Sequence, residues 1–251
     1  MWGIVPAAGI GSRIQPLAFS KELLPVGSRR DGATERPRAV SEYLLERMLA
    51  AGVTKICFVI APGKTDIMNY YGGKFGTAAI CYMVQPRPNG LCDAVFTALP
   101  MIDPVEDVLV GLPDTVWFPE SGFASLPPAS FSFLLFPVDH PEFFDAVLAD
   151  SDGRVQEIQV KQADAGSSWI WGAFRLPGSI LAELHRLWKA RNECDPYIGT
   201  LVNAYIAEGG SARAVRTGTH YIDVGTLQGY RSAVAALSPG HGKTVTDATP
   251  A

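Results

Sequence analysis

The sequence predicts an α/β fold, a mostly parallel mixed sheet flanked by helices, and three observations carry that prediction. Short apolar runs alternate with stretches whose apolar residues recur at helical spacing. Hydrophobic residues fill 47% of the 251 positions and charged residues only 18%, enough to build a sizeable core. The first apolar run opens into a glycine-rich loop, and in open α/β sheets ligands bind at such strand ends.

Taken in order, Gly3–Ala7 reads as a buried strand and Ser28–Arg36 as a polar, charged loop. Val40, Tyr43, Leu44, Met48 and Ala51 mark a helix over Ala39–Ala51, with Gly52 as its C-cap. Lys55–Ile60 is a strand, Thr65–Tyr71 a short helix, Ile80–Gln85 a strand and Leu91–Leu99 a helix. Asp107–Leu112 and Phe131–Val138 complete the strands of the first half. Beyond Pro141 the rhythm changes. Val155–Val160 alternates like a half-exposed strand, Trp169–Leu176 is aromatic-rich, and Pro177 is placed to open a helix reaching Arg191. Ile198–Glu208 is a helix stopped by Gly209 and Gly210. Strands at Ala212–Thr217 and His220–Val224 precede a last helix over Thr226–Ala236. We expect one domain over residues 1–237, with halves meeting near residue 140, and a disordered tail over 238–251.

A net charge of −4 gives no overall basic field, which argues against a nucleic-acid partner. Cys57, Cys81, Cys92 and Cys194 form no CxxC pair and fit a reducing compartment. Without a signal-peptide pattern or a run of ~20 apolar residues, a cytoplasmic protein with no membrane partner is expected.

The chemistry concentrates after the first strand, in Ala7-Ala8-Gly9-Ile10-Gly11-Ser12-Arg13. Two glycines let the backbone turn tightly and present N–H groups to an anion. Ser12 adds a hydroxyl, Arg13 a planar cationic fork, and Lys21 a second charge. A dinucleotide fingerprint needs a third glycine where Ile14 stands, and no glycine is followed, after four spacer residues, by the Gly-Lys-Ser/Thr of a P-loop.

What remains, G-x-G-S-R-x-x-P followed by S-K-E-L-L-P-V, resembles the signature of the sugar-1-phosphate nucleotidyltransferases. The likeness is close to the glucose-1-phosphate thymidylyl- and uridylyltransferases. The resemblance runs over about residues 2–236. It implies the Rossmann-like fold of nucleotide-diphospho-sugar transferases, with a nucleotide-binding half over about 1–140 and a sugar-side half over about 141–237. An NTP and a sugar 1-phosphate are the implied partners, Mg²⁺ the implied cofactor, and a homo-oligomer is allowed. By the same resemblance Ala8, Gly9, Gly11, Ser12 and Arg13 hold the triphosphate. Gln85, Pro88 and Gly90, in Gln85-Pro86-Arg87-Pro88-Asn89-Gly90-Leu91, line the base pocket. Asp114, past a buried strand, and Asp223, in a D-x-G-T setting, hold the metal, although Pro113 replaces a usual glycine. Arg13, Lys21 and Lys161 carry the catalytic charges.

Departures cluster on the sugar side. Where relatives have E-K-P, this chain has Val160-Lys161-Gln162, so the lysine is kept and the glutamate lost. Gly172 corresponds to the glycine backing the sugar, and Trp171 stands where a small residue is usual. Tyr197-Ile198-Gly199-Thr200 replaces an acidic run. Two alternatives therefore stay open: a cytidylyltransferase for a non-sugar phosphate, and a non-catalytic nucleotide-binding homologue.

Overall fold

The computed structural model describes residues 1–238; the expected tail falls outside them from residue 239 on. Strand β1 (Trp2–Ala7) leads into the glycine loop. A hairpin follows, β2 (Pro25–Asp31) and β3 (Thr34–Ala39), then α1 (Val40–Ala50), β4 (Lys55–Ile60) and α2 (Thr65–Tyr71). Short β5 (Lys74–Phe75) precedes β6 (Ala78–Val84), α3 (Leu91–Thr97), β7 (Asp107–Gly111), β8 (Thr115–Phe118) and β9 (Ser132–Pro137). The second half holds β10 (Asp145–Ala149), β11 (Val155–Val160), β12 (Trp169–Pro177), α4 (Gly178–Ala190) and α5 (Ile198–Ala207). The last elements are β13 (Arg213–Val215), β14 (His220–Asp223) and α6 (Leu227–Leu237).

A ten-stranded mixed sheet runs β11-β10-β12-β7-β1-β4-β6-β5, and β9 pairs with both β12 and β13. Strands β7, β1, β4 and β6 are parallel neighbours. Their C-terminal ends therefore open on one edge, the edge where open α/β sheets take ligands. Side chains alternate across this sheet as a period of two requires. Ile4, Cys57, Val59, Val108 and Val110 join α3, α4 and α5 on one face. Val5, Ile56, Phe58 and Leu109 pack with α1 and α2 on the other. A third cluster joins Val26, Val40, Tyr43, Val116, Ile222 and Ala233 beneath α6.

Two local expectations are corrected. Ser28–Arg36 is not a loop but most of the β2–β3 hairpin, with Arg29 opposite Arg36 and Asp31 opposite Thr34. Gly32 adopts φ +61 in the two-residue turn, as such hairpins require. The ribbon exposes nearly every side chain beyond Val26, so it has no apolar alternation to read. Pro177 does not open its helix; it ends β12 and caps α4, which starts at Gly178. Strand β10 had no counterpart in the sequence reading, and neither did β8. Thr226 caps α6, accepting from the Gly229 N–H at 3.0 Å.

Candidate active site

The glycine loop begins where β1 ends. The N–H groups of Gly9 through Arg13 donate to no acceptor among the described residues, and no atom stands within 4 Å of the missing Cβ of Gly9. Unpaired backbone donors in an open turn are the elements of an anion cradle. Gly11, at φ +72, is required twice over: a Cβ there would sit 2.8 Å from Cδ of Lys21. The lysine side chain thus crosses the loop through the space the glycine leaves.

Lys21 Nζ lies 2.5 Å from Asp114 Oδ2, just past the end of β7. Burial opposes the charge of both groups, and their mutual attraction outweighs it. The Asp114 carboxyl is held below its usual range and the Lys21 ammonium above its own. Asp223 ends β14, which pairs antiparallel with β8, so Asp223 stands opposite Thr115, the neighbour of Asp114. The Val224 N–H donates to the Asp114 carbonyl at 2.9 Å and locks the two segments together. Arg13 Nη1 donates to Asp223 Oδ2 at 2.8 Å. A Cβ on Gly225 would lie 2.7 Å from Asp114 Oδ2, 2.9 Å from Asp223 Oδ1 and 3.4 Å from Arg13 Nη2. Two carboxylates and a guanidinium therefore converge on the space that glycine leaves.

Gln85 is buried at the end of β6 and donates through Nε2 to Asp93 Oδ2 at 2.7 Å and the Gly90 carbonyl at 3.2 Å. A carboxylate only accepts, so Asp93 dictates which way this amide points. The Gln85 Oε1 is the atom left for a ligand. Pro88 is exposed on the turn between them. Gly90 has φ +96, and a Cβ there would strike the Pro196 backbone at 2.5 Å. Its close approach is to the loop before α5.

On the other half, Lys161 is exposed at φ +49, with Nζ 3.4 Å from the Tyr197 hydroxyl and 4.6 Å from that ring's centroid. Val160 packs Cγ2 where a side chain on Gly199 would stand. A Cβ on Gly172 would meet the rings of Tyr221 at 2.6 Å and Phe136 at 2.7 Å, so this glycine makes room for core rings. Trp171 is buried, and its Nε1–H donates to Asp145 Oδ2 at 3.3 Å.

Sequence reasoning missed the ion pair beneath the loop. Lys64 Nζ donates to the Ala7 carbonyl at 2.7 Å and to the fully buried Glu22 at 2.7 and 2.9 Å. This pins the first residues of the loop to the turn carrying Lys21. Glu22 was visible as the acid of the S-K-E-L-L-P run, but its partner lies 42 residues away. Burial still leaves the Glu22 carboxyl above its usual range. Lys64→Met strands that charge and is expected to cost about 3 kcal/mol in urea unfolding, most of it regained in the double variant with Glu22→Gln.

Residues 2–239 match the family described as Nucleotidyl transferase. The chain belongs to that family. Among nucleotidyl transferases it is 26% identical over 246 residues to a glucose-1-phosphate thymidylyltransferase of Neisseria meningitidis, covering 94% of this chain and 82% of the relative. It is 23% identical over 232 residues to the UTP–glucose-1-phosphate uridylyltransferase AglF of Haloferax volcanii, covering 90% and 91%. The solved UTP-bound UGPase of Acinetobacter baumannii shares the nucleotidyl transferase fold at TM-score 0.75 and 20% identity, covering 96% and 95%. No helix among the described residues is long and apolar enough to cross a membrane.

Proposed function

We propose that the protein condenses dTTP or UTP with a sugar 1-phosphate, giving an NDP-sugar and pyrophosphate. The observation that carries the reading is the convergence of Arg13, Lys21, Asp114 and Asp223 beside a loop of unpaired N–H groups. Phosphoryl-type transfer asks a protein for alignment and charge neutralisation more than for covalent help. The acceptor's phosphate oxygen attacks the α-phosphorus in line, forming one P–O bond as the bond to pyrophosphate breaks. No general base is needed, because a phosphate monoester is already anionic at neutral pH. The loop from Ala8 to Ser12 cradles the triphosphate, and Arg13 faces the leaving pyrophosphate. Lys21 faces the α-phosphate, and Lys161 holds the incoming phosphate.

Mg²⁺ fits the donor set. Asp114 and Asp223 offer hard carboxylate oxygens across Gly225, and no cluster of three acidic, His or Cys ligands exists among the described residues. Such a pair suits an ion that keeps its other positions for phosphate oxygens and water. Bound there, the ion supplies positive charge against the phosphates. Four cysteines without a disulfide accord with a cytoplasmic setting.

The Gln85 amide bears on the base. Oε1 can accept the N3–H of thymine or uracil, whereas N3 of cytosine is itself an acceptor. For a contact at N3 this counts against the cytidylyl alternative. Pyrophosphate release should be measured for each common NTP against a panel of sugar 1-phosphates, with Mg²⁺ and then with chelator. Metal-dependent release with dTTP or UTP is expected; NTP binding with silence across every acceptor would sink the reading. Gln85→Leu is expected to lower kcat/KM for the preferred nucleotide by about 10- to 100-fold and to narrow its lead over CTP.

A further inference from the structure

The departures at Val160 and Trp171 lie in one row of the sheet, with a carboxylate between them. Asp145 of β10 stands directly opposite Val160 of β11, and Ala146 pairs with Ile170 on the other side. Residues opposed in an antiparallel ladder share a face, so Val160, Asp145 and Trp171 point the same way from three adjacent strands. Val160 and Trp171 both pack into the core cluster beneath α5. The Trp171 indole donates to Asp145 Oδ2. Oδ1 takes no hydrogen bond from any described residue, yet it is not sealed from solvent.

The surroundings of Asp145 place it beside the segments that carry Lys161 and Asp223. The ammonium of Lys161, which follows Val160, acts on its charge. The Lys161 N–H donates to the Phe144 carbonyl at 2.9 Å, and the Phe144 ring meets the Tyr221 ring of β14 edge-on, with centroids 5.8 Å apart. Tyr221 lies two residues before Asp223 on the strand that pairs with β8, so the residue preceding Asp145 touches the segment that carries Asp223. Burial holds the Asp145 carboxyl above its usual range, against the Trp171 bond and Lys161. A half-buried carboxylate with one tethered and one unpaired oxygen is short of a donor, and a ligand can supply it.

We propose that Asp145 is the acceptor-reading carboxylate of this enzyme: Oδ1 takes a hydroxyl or ammonium donor from the sugar phosphate, while Trp171 fixes Oδ2. The carboxylate lost at position 160 is thus replaced from the adjacent strand, and the large residue at 171 orients it. The two departures from the family pattern become one rearrangement rather than two losses. This proposal rests on the nucleotidyl-transfer reading, and it makes Asp145 a specificity-determining residue.

The test measures pyrophosphate release at saturating dTTP or UTP, with glucose 1-phosphate as hydroxyl probe and glucosamine 1-phosphate as ammonium probe. Asp145→Asn is expected to raise the acceptor KM by about tenfold or more. NTP affinity by calorimetry should not move, kcat should change less than KM, and the wild-type preference between the probes should shrink. Trp171→Phe keeps the ring but removes the donor, and is expected to raise the same KM by a few-fold. An unchanged acceptor KM in folded Asp145→Asn overturns the proposal; if that variant does not fold, an unchanged KM in Trp171→Phe does so. Should wild type release no pyrophosphate with any pair, the transfer reading fails, and calorimetric binding of glucose 1-phosphate decides the fate of Asp145. Binding weakened about tenfold by Asp145→Asn would uphold it, and equal or absent binding in both proteins would overturn it.

Discussion

Asp114→Asn is expected to slow pyrophosphate release by about 10²- to 10³-fold and to destabilise the fold by about 3 kcal/mol. Both effects come from one geometry. In the proposed function Asp114 offers a carboxylate to the metal, and in the fold it is the partner of Lys21, with side chains only 11% and 13% exposed. The amide keeps the size of the carboxylate but loses its charge, which leaves the Lys21 ammonium buried and uncompensated. Breaking such a pair costs more than the pair is worth, because one desolvated charge remains. Lys21→Met combined with Asp114→Asn should therefore recover most of the stability in urea unfolding and none of the activity. A double variant as unstable as the single one would show that the loss lies elsewhere in the strand ends.

The same pair fixes a pH dependence. The Asp114 pKa is depressed in the folded chain, so its contribution is present above the ordinary aspartate value, near 3.9, and fades as pH falls through the depressed value. The Lys21 pKa is raised, so its contribution is complete below the ordinary lysine value, near 10.4, and is lost as pH rises through the raised one. The pair is intact at neutral pH. In Asp114→Asn the acid limb attributable to it should vanish from a stability-versus-pH curve.

The turn of the glycine loop was legible because its logic is local. Gly9, Gly11, Ser12 and Arg13 sit in one turn, and the need for glycine at 11 follows from Lys21, ten residues on. The β2–β3 hairpin was not, since a ribbon exposed on both sides leaves no hydrophobic period. Gly90 and Gly172 show another limit. Sequence reveals that a side chain is missing, but not that Pro196 or the Tyr221 and Phe136 rings occupy the space. Asp145 was invisible because its meaning lies in its register with Val160 and Ala146 with Ile170, which only folded strands supply.

Arg13→Ala is expected to match the rate loss of Asp114→Asn, about 10²- to 10³-fold, without its loss of stability. The Arg13 side chain is 59% exposed, and its ion pair with Asp223 lies at the mouth of the site. Such pairs contribute ~0–1 kcal/mol, so the urea midpoint should barely move. The guanidinium faces the same space as both carboxylates, where the proposed reaction gathers negative charge as pyrophosphate departs. Arg13→Lys restores the charge but not the planar fork that meets two phosphate oxygens at once, so it should regain only part of the rate. NTP affinity by calorimetry separates the two ways Arg13 could act. If kcat falls while NTP binding holds within a few-fold, its charge is used chiefly in the transition state; if binding falls as far as kcat/KM, Arg13 is a triphosphate anchor and Lys21 carries the charge of transfer. Near-normal turnover in folded Arg13→Ala would remove the loop from the chemistry altogether, and the nucleotidyl-transfer reading of this site with it.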